Sequence, residues 1–145
     1  MNILFVGAHH DDLEVSIGGS VRRWVDEGHK VCSVILTNSQ WTSPDGKIYC
    51  PKEKNIEECN NAAKLLGYKP YNFMACDDFK LKYDDKLVSK LLDVINKEKI
   101  DKLITIWPYD AHPTHREASR IALDASRKIP RIILVKISWN IVPQS

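Results

Sequence analysis

Apolar residues fall along this chain in two alternating rhythms, short continuous runs and stripes of period three to four. The alternation predicts strands and helices in turn. Ile3 to Val6 is a run long enough for a buried strand. Leu13, Ile17, Val21 and Val25, with Trp24 beside them, form a helical stripe to about Glu27, and Gly28 is a natural stop. Gly18 and Gly19 interrupt that stripe, each costing about 1 kcal/mol relative to alanine. A close approach of this helix to a sheet is the expected reason for them. Val31 to Leu36 reads as a second, parallel strand. Ile56, Cys59, Ala63 and Leu66 mark a second helix, closed by Gly67, and Tyr71 to Ala75 a short third strand. Asp84 is a candidate N-cap for a third helix with Leu87, Val88, Leu91 and Ile95 inward, its stripe widened by Leu92 and Val94. Leu103 to Trp107 predicts a fourth strand. Pro113 suits the first turn of a fourth helix with Ala118, Ile121, Ala122 and Ala125 buried, and Arg131 to Ile137 predicts a fifth strand.

This order implies parallel strands joined by right-handed crossovers, hence a three-layer α/β/α sandwich with a Rossmann-like, mostly parallel sheet of about five strands. One domain over residues 1–145 is expected. In a doubly wound sheet of order 3-2-1-4-5, the first and fourth strands are neighbours, and ligands bind at the crevice beyond their carboxyl ends. Residues 38–52 show no periodicity and predict the longest loop. It follows a strand end, so Trp41 and Tyr49 in it are either ligand-stacking residues or hydrophobic pins, and pins are the simpler reading.

Composition narrows the function classes. The chain is 43% hydrophobic and 28% charged with a net charge of +2, ordinary for a globular domain. Its Lys and Arg are dispersed, which argues against nucleic acid as a partner. No apolar run reaches membrane-spanning length, and the N-terminus has no signal-peptide pattern. A cytoplasmic setting is expected, with Cys32, Cys50, Cys59 and Cys76 as reduced thiols. They form no Cys-x-x-Cys pair. Self-association into a homo-oligomer stays open.

The candidate chemistry sits at two strand ends. Gly7-Ala8-His9-His10-Asp11-Asp12 follows the first strand, and Asp110-Ala111-His112-Pro113-Thr114-His115 follows the fourth. His9 and Asp12 place an imidazole and a carboxylate on one tight turn, ligand types suited to zinc. The alternative is a polar surface turn with Asp12 as N-cap. His112 and His115, three residues apart, can face one way at a helix start. The predicted topology brings these clusters together although about a hundred residues separate them, which favours a catalytic site. Asp77 and Asp78 follow the third strand, as candidates for contact with substrate hydroxyls or as a solvated turn.

The residues also resemble a family. Ala8-His9-His10-Asp11-Asp12 with Gly18-Gly19 resembles the Ala-His-Pro-Asp-Asp…Gly-Gly signature of PIG-L/LmbE-like zinc-dependent N-deacetylases, the N-acetylglucosaminyl deacetylases. Residues 110–116 resemble that family's His-Pro-Asp-His motif with its flanks, and Glu57-Glu58, Ala62-Ala63 and Leu66-Gly67 its intervening helix. The resemblance runs from Ile3 to about Asn140, ending with Ser138-Trp139-Asn140. It implies zinc bound by His9, Asp12 and His115, Asp11 as general base, and His112 as general acid or oxyanion stabiliser. It also implies a small amino-sugar substrate, for which Asp77, Asp78 and Trp41 are candidate contacts by their positions at strand ends and in the long loop. Asp110 would orient a histidine from behind. His10 stands where the family has proline, and the backbone should turn it away from His9. Thr114 replaces an aspartate, and Lys54 and Asn55 stand where an arginine is common. Family members continue past the Ser-Trp-Asn region, so a domain shortened at its C-terminus is expected.

Overall fold

The computed structural model describes residues 1–138; Trp139 and Asn140, at the end of the resemblance, lie outside the described residues. The chain runs β1 (Asn2–Gly7), α1 (Asp12–Asp26), β2 (Lys30–Ile35), β3 (Trp41–Thr42), β4 (Ile48–Tyr49), α2 (Lys52–Leu66), β5 (Lys69–Asn72), α3 (Asp85–Lys97), β6 (Lys102–Ile106), α4 (Pro113–Ala125) and β7 (Arg131–Val135). The main sheet has the order β5-β2-β1-β6-β7, all pairs parallel. Counted along the chain, its five strands stand in the order 3-2-1-4-5, as expected.

Strand alternation builds the layers. Leu4, Val6 and Ala8 face one way and pack with Val88, Leu91 and Ile95 of α3 and Ala118, Ile121 and Ala122 of α4. Ile3 and Phe5 face the other way and pack with Leu13 and Val21 of α1 and Ala63 of α2. Because both faces of β1 are covered, its apolar run is continuous rather than alternating. Asp84 caps α3 as expected, its carboxylate accepting from the Lys86 N–H at 2.8 Å.

Several expectations are corrected. The third strand lies at Lys69–Asn72, two residues earlier than the apolar pattern suggests. Its place at the sheet edge tolerates Pro70, and Phe73 and Ala75 still donate to Ile35 of β2 and to Leu36 just past it. The stretch 38–52 contains the antiparallel hairpin β3–β4, in which Trp41 and Tyr49 are cross-strand partners with rings 5.1 Å apart. Leu92 is exposed, on the outer side of α3. Gly18 faces α2, its nearest neighbour being Leu66, and Gly19 meets open space rather than the sheet. Gly19→Ala should therefore stabilise the protein by about 0.5–1 kcal/mol through helix propensity. A rise in the urea midpoint checks this, and a fall would mean that the position is packed.

Candidate metal centre

The site begins with one glycine. A Cβ on Gly7 would lie 2.7 Å from the Phe5 ring and 3.1 Å from the Asp12 Cβ. Its absence lets the chain after β1 fold Asp12 back over the strand end. Asp12 Oδ2 accepts from the N–H groups of Ala8 at 2.8 Å and His9 at 2.9 Å. This clamp fixes the loop and leaves Oδ1 free. After the neighbouring strand β6 the chain turns at Asp110 and enters α4. His112 is the N-cap, its Nδ1 accepting from the Thr114 N–H at 3.1 Å, and Pro113 opens the first turn. One turn in, His115 reaches back towards β1.

Three acceptor atoms then converge. His9 Nδ1 lies 3.1 Å from His115 Nε2, and Asp12 Oδ1 lies 3.6 Å from the first and 3.3 Å from the second. Tetrahedral zinc with bonds of about 2.0–2.1 Å holds its ligand atoms about 3.3 Å apart. The opposite nitrogen of each ring faces a carboxylate: His9 Nε2 is 2.7 Å from Asp78 Oδ1, and His115 Nδ1 is 2.9 Å from Asp110 Oδ1. When those nitrogens carry the protons, two imidazole lone pairs and a carboxylate oxygen point at one spot. That arrangement fits a bound cation, with each histidine held by a carboxylate behind it. A second donor group, His9, Asp78 and His112, shares His9. The first set is the more buried of the two, with Asp12 and His115 both buried.

The charges agree with the geometry. Burial works against protonating His9, yet the carboxylates of Asp12 and Asp78 outweigh it and push the imidazole up to about 10. Burial also opposes ionising Asp12, but His115 and His9 hold its carboxyl far below the usual range. His115 is raised as well: burial and the neighbouring His9 oppose its protonation, but the carboxylates of Asp12 and Asp110 together outweigh them. His112 goes the other way, lowered by burial and by the neighbouring His9. In chelated protein, the folded chain holds a proton on His9 between about 6.5 and 10 that the unfolded chain has lost. That contribution to stability is complete below the ordinary histidine value and disappears as pH rises through 10. The urea midpoint of the chelated protein should fall between pH 7 and pH 10, and His9→Gln should flatten the fall.

The predicted residues are placed as follows. His9, Asp12 and His115 come together. Asp11 and His112 share with them the wall of a cleft of about 540 Å³, with Asn55 and Glu58 of α2 among the other lining residues. Asp11 is exposed and its side chain does not cap α1. Asp110 is fully buried behind His115 and also accepts from the N–H groups of His112 and Ser138 at 3.0 Å each. His10 turns away, its Nδ1 2.6 Å from Ser39 Oγ. Asp78 lines the cleft, with Oδ1 turned to His9 Nε2. Asp77 accepts from Asn38 Nδ2 at 2.6 Å, and neither it nor Trp41 lines the cleft. Sequence reasoning missed Thr114, which is buried and donates to Asp78 Oδ1 at 2.8 Å. It also missed Phe79, whose ring stacks on His112 at 4.8 Å. A larger depression of about 790 Å³ beside Leu81 and Leu87 contains none of these groups.

Comparison with known proteins gives the lineage. The chain is 28% identical over 128 residues to a diacetylchitobiose deacetylase of Thermococcus kodakarensis, which covers 85% of this chain and 48% of that protein. It thus spans about half the length of that relative. Among solved structures, an N,N'-diacetylchitobiose deacetylase from Pyrococcus horikoshii superposes with a TM-score of 0.71 at 25% identity, over 86% of this chain and 48% of that one. A 4-carboxy-2-hydroxymuconate hydratase of Pseudomonas putida superposes equally well, with a TM-score of 0.71 at 21% identity over 86% and 55% of the two chains. That likeness is one of fold, which by itself names no reaction. Residues 4–126, spanning both strand-end clusters, match the family described as PIG-L, GlcNAc-PI de-N-acetylase, and the chain belongs to that family.

Proposed function

We propose that this chain is a zinc-dependent hydrolase that removes the N-acetyl group from an N-acetylglucosamine-type amino sugar or conjugate. The observation that carries the reading is the triangle of His9 Nδ1, His115 Nε2 and Asp12 Oδ1, with edges of 3.1, 3.3 and 3.6 Å, opening on a cleft that also holds Asp11 and His112. The deacetylase names of the relatives and the family description support the same reaction class.

Zinc, when bound, acidifies water and polarises an amide carbonyl. His9, Asp12 and His115 would hold the metal beside the cleft. Asp11, adjacent to a ligand but outside the triangle, accepts the proton of the attacking water. His112 has Nδ1 committed to the Thr114 N–H, so in this arrangement it presents Nε2–H. It thereby serves as a neutral donor to the oxyanion that forms as the carbonyl carbon becomes tetrahedral. The proton collected by Asp11 passes to the departing amine as the C–N bond breaks, giving acetate and the free amino sugar. A screen of N-acetylglucosamine conjugates for amine release by the zinc-loaded chain tests the proposal. Release from at least one conjugate is expected. Zinc binding without release from any would leave a metal-binding domain and defeat the catalytic assignment.

A further inference from the structure

Phe79 combines three features that generic folding does not call for. It is 54% exposed and belongs to neither core cluster. Its φ is +64°, in the left-handed region that disfavours a bulky side chain. The strain is enforced from two sides, because the Phe79 N–H donates to Asp78 Oδ1 at 2.8 Å and to Thr114 Oγ1 at 3.1 Å. Asp78 is the carboxylate behind His9, and Thr114 supplies the N–H that holds His112 Nδ1. The backbone of Phe79 is therefore pinned by the groups that orient two histidines of the site.

Its ring has a definite neighbour. Phe79 stacks on His112 with centroids 4.8 Å apart and planes 19° apart, while His115 stacks on His112 at 4.7 Å and 24°. His112 is thus sandwiched between a metal-ligand candidate and an exposed aromatic ring, and Nδ1 is tied to the helix start. With one nitrogen tethered and ring contacts on two sides, rotation of the imidazole is blocked and Nε2 keeps one direction. We propose that Phe79 is a positioning residue, held in strained backbone to clamp the His112 ring for the reaction. This rests on the deacetylase reading given above. Strain concentrated beside a working side chain is the kind that function retains.

The test uses the full zinc-loaded chain with Phe79→Gly and Phe79→Tyr. Glycine removes the clamp and accepts φ +64° without strain, so the thermal midpoint should hold or rise while kcat falls roughly ten- to a hundredfold, as expected for a misplaced catalytic group. KM and zinc content should not change, and Phe79→Tyr should recover the rate. The proton NMR signal of the His112 ring should lose its ring-current displacement in Phe79→Gly and keep it in Phe79→Tyr. A lowered midpoint with unchanged kcat would make Phe79 a packing residue only. So would an unmoved His112 signal, or a Phe79→Tyr variant as slow as Phe79→Gly. If the unmodified chain releases no amine from any conjugate, the deacetylase reading fails, and the His112 signal with the midpoint still decides the clamp.

Discussion

Asp11→Asn should lower turnover by about 10²–10⁴-fold while leaving zinc content and the fold unchanged, because a general base contributes about that much. The substitution keeps shape and nearly the same size, and it removes only the ability to take a proton. Asp11 is the residue for this experiment because it stands on the cleft wall and exposed, while the adjacent Asp12 is buried and bound to the loop through Oδ2. Substrate affinity should change much less than turnover, since proton transfer is a feature of the transition state. Steady-state kinetics with zinc quantified on the same samples checks both points. A variant as fast as the unmodified chain would remove Asp11 from the chemistry.

The second large effect is on the metal itself. His115→Ala takes away one corner of the triangle and leaves Asp110, fully buried, facing a cavity where its imidazole partner had been. The protein should lose its zinc at concentrations that saturate the unmodified chain. Asp110→Asn and Asp78→Asn keep all three ligands and disturb only what stands behind the histidines, so a milder loss of about 10–100-fold in affinity is expected. His10→Ala should retain the metal, since His10 is turned towards Ser39. Competition with a chelator of known affinity ranks the four variants. Metal loss from His10→Ala equal to that from His115→Ala would show that the wrong histidine had been chosen.

The sheet order was legible in the sequence because parallel strands covered on both faces leave continuous apolar runs, as in Ile3–Val6 and Leu103–Ile106. The two strand-end clusters were legible for the same reason, since the topology alone makes the first and fourth strands neighbours. Local packing was not. Gly18 and Gly19 look identical in sequence, yet only the first is buried, because a helical step of 100° separates packed from exposed. Asp77 and Asp78 are likewise adjacent, and only the second points at His9. Which of two neighbouring carboxylates turns inward depends on a loop held by Asn38, Thr114 and the main chain of Gln40, contacts made across long stretches of sequence. Phe79 left no sequence signal at all, because a positive φ and a stacked partner are both tertiary facts.

Deacetylation at the His9–Asp12–His115 centre, the function proposed above, can be measured directly. Acetate and free amine released from an N-acetylglucosamine conjugate should be followed for the same protein as zinc-loaded, chelated and zinc-restored samples, with metal content determined in each. Equimolar acetate and amine at about one zinc per chain, loss of release on chelation and its return with zinc are expected. Release that continues unchanged in the chelated sample would contradict the proposed function.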